Sequence, residues 1–439
     1  MSGSGTTLDD YTDRYAQRIN GMTASEIRAL FAVASRPEVV SLAGGAPYVA
    51  ALPLDAVGEM LGRLGSVHGA TTLQYGLGQG TPELRERICE VMADSGIDAG
   101  GGASPDDVVV TVGGQQALDL VARLFLDPGD VVLAEGPTYV GALGVFQAAQ
   151  ARVVHLPMDD DGLIPAALEE GILAQQRAGA RVKFLYTIPT YQNPAGVTLS
   201  EERREQVLDI CERHGLLVIE DDPYGQLGFS GDAPLPLRAR RREGVFYLST
   251  FSKTFAPGFR VGWILAPHAV RDKLVIATEA NILCPSAFSQ AAVTQYLTTM
   301  PWREQIKAYR QIYGERRDAL LTALGDMMPA GTTWTRPDGG LFVWATLPEG
   351  LDSKAMVPRA INARVAYVPG TGFYADGTGQ RHLRLNFSFP PPERIREGVR
   401  RLAGVVEEEL AMRAVFGPAP APTGGFSSPG ADVPGPDLA

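Results

Sequence analysis

Lys253 stands in Ser249-Thr250-Phe251-Ser252-Lys253-Thr254-Phe255-Ala256-Pro257-Gly258-Phe259-Arg260, where the apolar run Val245 to Leu248 gives way to a hydroxyl-rich turn. Only five of the chain's 39 Lys and Arg residues are lysines. Small and apolar neighbours desolvate an amine and lower its pKa. A neutral amine attacks carbonyls, so the position suits Schiff-base chemistry. A snorkelling surface lysine is the ordinary alternative, and on this segment alone it is the stronger one.

Five further segments change that balance. Thr111-Val112-Gly113-Gly114-Gln115-Gln116 puts glycines where a strand gives way to a helix. Backbone N–H groups at such a junction hold an anion such as a phosphate. A plain turn is the alternative, and the pattern is neither a dinucleotide fingerprint nor a Walker loop. Glu135-Gly136-Pro137-Thr138-Tyr139 places an aromatic ring after a strand, fit to stack on a planar group or merely to cap a helix. Pro189-Thr190-Tyr191-Gln192-Asn193-Pro194-Ala195-Gly196 is a turn whose asparagine can donate to a phenolate oxygen. Val218-Ile219-Glu220-Asp221-Asp222-Pro223-Tyr224 ends an apolar strand with three acids. One of them can pair with a protonated ring nitrogen, and Tyr224 can reach the neighbouring oxygen. An acidic helix cap is the alternative. In His382-Leu383-Arg384-Leu385-Asn386-Phe387-Ser388 an arginine interrupts an apolar strand, which is costly unless it is paired. A planar carboxylate fits the guanidinium fork, and a structural ion pair is the alternative.

The elements that must position these groups alternate. Val108–Val112, Val131–Ala134, Val153–Leu156, Phe184–Ile188, Leu216–Ile219, Val245–Leu248 and Gly262–Leu265 read as strands. Gln115–Phe125 and Val140–Ala149 read as helices between them. Such alternation predicts an α/β fold with a mainly parallel, buried sheet. The polar motifs follow the strands, where ligands bind in open α/β sheets. From about Pro301 the texture changes to α+β. A long helix (Trp302–Leu324) precedes short strands (Gly340–Thr346, Ala366–Pro369, Leu383–Phe387) and a last helix (Glu393–Met412). Four regions are expected: residues 1–60 as an N-terminal arm and lid, 61–300 as a large body, 301–415 as a smaller domain joined by part of the N-terminal segment, and 416–439 as a disordered Pro/Gly/Ala tail.

The 439 residues carry a net charge of −11 without a basic stripe, which argues against nucleic acid and anionic membranes as partners. No apolar run spans a bilayer and the first ten residues lack a secretory signal, so the cytoplasm is the expected compartment. Cys89, Cys211 and Cys284 lie too far apart for a disulfide framework, and Cys211 with His214 supplies too few ligands for zinc.

Taken together and in this order, the segments resemble a fold-type I, class I/II aminotransferase. The likeness is strongest to the 2-aminoadipate/kynurenine aminotransferase branch, which also supplies the aminotransferase-like domain of MocR regulators. It runs from about Thr23 to Met412. The resemblance implies a seven-stranded large-domain sheet, a pyridoxal 5'-phosphate cofactor and a homodimer with shared active sites. It implies an amino acid donor and a 2-oxo acid acceptor, 2-oxoglutarate, as the substrates of a ping-pong transfer. Lys253 matches the Schiff-base lysine and proton carrier. Asp221 matches the acid at the pyridine nitrogen, and Tyr224 and Asn193 match the partners of the ring hydroxyl oxygen. Tyr139 matches the stacking ring. Gly113, Gly114 and Gln115 match the phosphate turn, and Thr250, Ser252 and Arg260 match the other phosphate ligands. Tyr75 matches a tyrosine that crosses to the partner's phosphate. Arg384 matches the carboxylate clamp, and Gly45 a glycine lining the substrate. Asn193 also borders the substrate, and Arg28 and Tyr48 fall where the branch selects the side chain.

There are departures. The branch usually carries serine where Gly114 and Thr250 stand, and often Leu-Phe-Pro where Ala51-Leu52-Pro53 stands. The changes near Tyr48 bear on substrate more than on cofactor. They keep open a lyase, decarboxylase, oxidase or cyclase on the same site. A MocR-like regulator is the other alternative, set against only about two dozen residues ahead of the resemblance.

Overall fold

The computed structural model describes residues 14–19, 22, 36–98, 103–231 and 233–417. Arg28, and the expected tail from residue 418 onward, lie outside the described residues. Phe416 ends a helix, Pro392–Phe416, four residues longer than the apolar pattern suggests.

Eight strands form one sheet, in the spatial order Val108–Thr111, Gly262–Leu265, Val245–Thr250, Leu217–Asp221, Val182–Thr187, Val131–Gly136, Arg152–Asp159, Gly162–Leu163. Seven of them are those implied by the resemblance; the eighth, Gly162–Leu163, is a two-residue edge strand. Gly262–Leu265 runs antiparallel to both its neighbours, and the four pairings from Val245–Thr250 across to Arg152–Asp159 are parallel. The central strands are buried because helices cover both faces, which explains their near-continuous Val, Ile and Leu runs. Helix Gly113–Phe125 lays Ala117, Leu118, Val121 and Ala122 on one face. Helix Glu201–Arg213 lays Val207, Leu208 and Cys211 on the other, and His214 caps it.

The strands run beyond their apolar cores. Ladder bonds need only backbone, so Glu220 and Asp221 still pair with Tyr247 and Leu248. Chemical groups thereby sit on rigid strand ends.

A second, antiparallel sheet joins Thr333–Trp334, Phe342–Thr346, His382–Asn386 and Val368–Pro369. The single strand expected over Ala366–Pro369 is in fact two. Val365–Ala366 pairs in parallel with Val40–Ser41, whereas Val368–Pro369 pairs with Leu383 and Arg384. The N-terminal segment is thus stitched to the second sheet, and Asn386 N donates to Leu42 O at 2.7 Å. Helices Trp302–Met327 and Pro392–Phe416 pack together beside it. Among the described residues no helix is long and apolar enough to cross a membrane.

Candidate active site

Five of the singled-out segments meet at the C-terminal ends of the parallel strands. The first is an anion cradle. Gly113 opens its helix at φ +73°, and a Cβ there would lie 2.4 Å from the Arg260 guanidinium. Gly262 passes so close that its Cβ would lie 2.7 Å from the Gly113 carbonyl carbon and 2.9 Å from Gly114 N. Glycine is therefore required at both positions. Arg260 donates to Ser252 Oγ (3.4 Å) and Val112 O (3.3 Å), and Thr250 Oγ1 lies 2.9 Å from Ser252 Oγ. A guanidinium, two hydroxyls and the first N–H groups of a helix share one hollow, which suits a phosphate. A Cβ on Gly114 would meet only Thr250 atoms, at 3.9 Å. The missing serine hydroxyl is therefore not dictated by space.

Tyr139 borders this hollow, close enough for the Arg260 charge to act on its phenol. Its hydroxyl lies 3.3 Å from Gln115 Oε1, while Gln115 Nε2 donates to Gly141 O. Asn193 hydrogen-bonds Tyr224, whose phenol is pushed up by burial. The three acids separate by strand alternation. Glu220 accepts from the N–H groups of Leu237 and Arg238, both at 2.8 Å. Asp222 accepts from Tyr247 Oη (2.9 Å) and Gly225 N (2.8 Å). Asp221 projects to the opposite face and accepts from Tyr186 Oη at 2.8 Å. Its field reaches Tyr139 and Tyr224, so it belongs to the same cavity as those rings.

Lys253 Nζ donates to Gly45 O at 2.7 Å. Burial brings its amine down to about 8, and the Arg384 and Arg260 charges act in the same direction. Arg384 donates to Asn193 Oδ1 (3.0 Å), Ala43 O (3.1 Å) and Gly44 O (3.3 Å), and its guanidinium lies 4.1 Å over the Phe342 ring. Its Nε is buried without a partner. Burial lowers this guanidinium to about 10. A Cβ on Gly45 would lie 3.1 Å from Phe342 Cζ, so the smallest residue leaves room beside Arg384.

Two expected residues stand apart. Tyr75 is 78 % exposed, away from this cleft. Tyr48 turns to the long helix: its N–H donates to Tyr313 Oη, and its ring lies 4.1 Å beneath the Arg316 guanidinium. Arg28 lies outside the described residues. Sequence reasoning missed Tyr186, Gln192, Phe342 and Arg316. Tyr186 and Phe342 lie within apolar strands and read as core. Gln192 sits in a motif that was singled out only for its asparagine.

The donor set fits pyridoxal phosphate. The cradle would hold the phosphate, Asp221 the pyridine nitrogen, Asn193 and Tyr224 the ring oxygen, and Lys253 the aldehyde carbon. The orphaned Arg384 Nε marks a donor waiting for an acceptor.

The buried acids also set a pH response. Burial pushes Asp221 and Glu220 up to about 7, so the folded chain holds those protons more tightly than the unfolded chain. Their stabilising contribution is full below the ordinary carboxylate range and is lost as pH rises through about 7. Cofactor-free protein should therefore lose Tm over that interval, and Asp221→Asn should shallow the decline. Thermal scans across pH check this; an unchanged slope in the variant would contradict it.

Comparison with known proteins agrees with the geometry. Residues 37–402 match the family described as Aminotransferase class I and II. Aromatic-amino-acid aminotransferase 1 of Thermococcus litoralis is 43% identical over 403 residues, covering 91% of this chain and 96% of that protein. The 2-aminoadipate transaminase of Thermus thermophilus is 36% identical, covering 92% and 98%. The solved kynurenine aminotransferase of Pyrococcus horikoshii, in complex with PMP, superposes with a TM-score of 0.86 at 40% identity, covering 92% of this chain and 99% of that one. The chain belongs to the class I and II aminotransferases and is a pyridoxal-phosphate-dependent enzyme of fold type I.

Proposed function

We propose that this aminotransferase draws its amino group from large neutral L-amino acids, aromatic ones included, and from 2-aminoadipate-like donors, and passes it to 2-oxoglutarate. The observation that carries the reading is Arg384. It is a buried guanidinium, 3 % exposed, with an unpartnered Nε, and it borders the amine of Lys253 closely enough to depress it. A planar fork of this kind fits the carboxylate common to amino and 2-oxo acids. The breadth of donors is supported by relatives named for aromatic amino acids, 2-aminoadipate and kynurenine.

Bound pyridoxal phosphate supplies an electron-withdrawing ring that makes the Cα proton of the donor removable. With the cofactor bound, Lys253 Nζ, whose amine burial lowers to about 8, would be the group that takes and returns that proton. Asp221 keeps a proton on the ring nitrogen. Asn193 and Tyr224 hold the ring oxygen, and Tyr139 covers the ring. Gly113, Gly114, Gln115, Thr250, Ser252 and Arg260 hold the phosphate. Arg384 and Gly45 orient the carboxylate end. The donor leaves as its 2-oxo acid before the acceptor enters, which gives ping-pong kinetics.

Arg384→Lys tests the clamp. Lysine cannot make two parallel bonds to a carboxylate. We expect kcat/KM to fall about a hundredfold, some 2.7 kcal/mol at 1.36 kcal/mol per decade, with cofactor affinity kept. Steady-state kinetics with aromatic and 2-aminoadipate donors and 2-oxoglutarate measure it. Unchanged kinetics would make Arg384 a structural cation.

The active unit is proposed to be a homodimer whose sites are shared through Tyr75. Exposed Leu73, Tyr75 and Leu77 lie beside exposed Leu283, since Gly76 N donates to Cys284 Sγ, and an apolar patch of this kind marks an interface. Mixed dimers of Lys253→Ala and Tyr75→Phe should regain activity at limiting cofactor, because one site then carries both lesions and the other neither. Proven heterodimers without recovery would refute sharing. Substrate choice is assigned to the segment carrying Arg28, with Tyr48 acting by seating the Gly45 loop. Residues 61–300 form the cofactor-binding body in this reading, with 301–415 as the smaller domain and 1–60 as arm and lid. The proposed compartment is the cytoplasm.

A further inference from the structure

Residues 187–196 are buried throughout, although from Ile188 on they belong to neither helix nor strand. A buried loop must have its backbone polar groups satisfied from elsewhere in the protein. Arg204, itself fully buried, closes the two ends. It donates to Pro189 O and Thr190 Oγ1 at one end (both 2.8 Å) and to Leu199 O at the other (2.9 Å). Gln192 holds the middle.

The Gln192 side chain is 1 % exposed, and both of its polar atoms are bonded. Nε2 donates to Glu135 Oε2 (3.1 Å) and to Pro137 O (2.8 Å). Oε1 accepts from Ala195 N at 2.7 Å, and the Gln192 N–H donates to Val197 O at 2.9 Å. The first two acceptors lie on the segment that carries Tyr139. The other partners lie on the turn that carries Asn193. Glu135 is equally anchored: Oε1 accepts from Thr187 Oγ1 (2.5 Å) and Oε2 from Ile188 N (3.1 Å). A buried carboxylate with three such donors is a fixed post, and removing one partner strands the others.

We propose that Gln192, seated on Glu135, is a positioning residue that fixes the spacing between Tyr139 and Asn193, and with it the slot that takes the cofactor ring. The inference rests on the reading that Tyr139 and Asn193 hold that ring. The glutamine matters because its amide offers donors in one direction and an acceptor in the other, so it can bridge two segments at once. Neither glutamate nor methionine at this place can do both.

Titration of the cofactor-free protein with pyridoxal 5'-phosphate, followed by absorbance, tests the cross-link without requiring turnover. Gln192→Ala should weaken binding about ten- to a hundredfold, by analogy with the loss when the outer-shell partners of metal ligands are removed. At saturating cofactor, kcat should fall while the donor KM changes little. The double variant Gln192→Ala/Asn193→Ala should lose less affinity than the two single losses added together, because part of the first lesion acts through the second residue. Gln192→Met keeps the volume and carries the same test if the alanine variant does not fold. Unchanged affinity in folded Gln192→Ala or Gln192→Met, or fully additive losses in the double variant, would overturn the cross-link. Tyr139→Ala and Asn193→Ala serve as controls. If neither weakens binding, the site reading fails and the cross-link falls with it; if both do and the Gln192 variants do not, the cross-link alone falls.

Discussion

Lys253→Ala is expected to lower transamination turnover by at least about 10⁴-fold, because one substitution removes both the covalent tether and the proton carrier. The placement of the lysine makes the effect specific. Its amine is brought down to about 8 by burial and by the nearby Arg384 and Arg260 charges, so a large share is neutral and nucleophilic near that pH. The remaining lysines face other tasks. Lys183 lies 3.5 Å from Asp130, Lys307 lies 2.7 Å from Glu304, and Lys273 and Lys354 are exposed. Borohydride treatment of the cofactor-loaded wild type should therefore leave one cofactor-derived label, on the peptide containing Lys253. The variant should carry none, and its folded state can be checked by thermal melting. A label on any of the other four lysines, or turnover within tenfold of wild type, would refute the assignment.

Much of this site is legible in the sequence because its groups are expensive where they stand. An amine among small residues, an acid at the end of Val218-Ile219 and an arginine between Leu383 and Leu385 each contradict their surroundings, and that contradiction is the signal. The sheet is legible for the opposite reason, since strands buried on both faces leave unbroken apolar runs. What stays hidden is whatever agrees with its surroundings. Tyr186 looks like one more aromatic in Phe184–Ile188, yet its hydroxyl holds Asp221. Arg204 and Arg316 look like solvated helix arginines, yet both are buried and bind carbonyl oxygens of Pro189 and Ser388 respectively. Strand ends are hidden because backbone pairing continues under polar side chains. The Gly162–Leu163 strand is two residues long, too short to show any period. The division of Val365–Pro369 between two sheets depends on partners far away, Val40 in one case and Arg384 in the other. Local pattern cannot carry that information.

Asp221→Ala is expected to reduce turnover about 10³-fold while the chain still binds its cofactor, because a preorganised charge at the ring nitrogen is lost but the phosphate cradle is untouched. The three consecutive acids make this a sharp test. Asp222 spends its oxygens on Tyr247 and Gly225 N, and Glu220 spends its own on Leu237 N and Arg238 N. Both are posts for backbone and side chain away from the ring. Asp221 accepts from Tyr186 on one oxygen, and burial pushes its carboxyl up to about 7. A cationic partner reverses that shift, since an opposite charge favours the ionised form. Asp221 and a protonated ring nitrogen therefore stabilise one another. Asp221→Asn keeps the shape and removes the charge, so it should lose nearly as much turnover as alanine. Asp221→Glu keeps the charge at the wrong reach and should fall between. Asp222→Asn should cost stability, through the Tyr247 and Gly225 bonds, more than turnover per folded molecule. Kinetics at saturating cofactor, normalised to cofactor content and paired with melting curves, separate these outcomes. If Asp221→Asn retains near-normal turnover and Asp222→Asn does not, the ring nitrogen is served by Asp222, and the alternation of the strand end has been read on the wrong face.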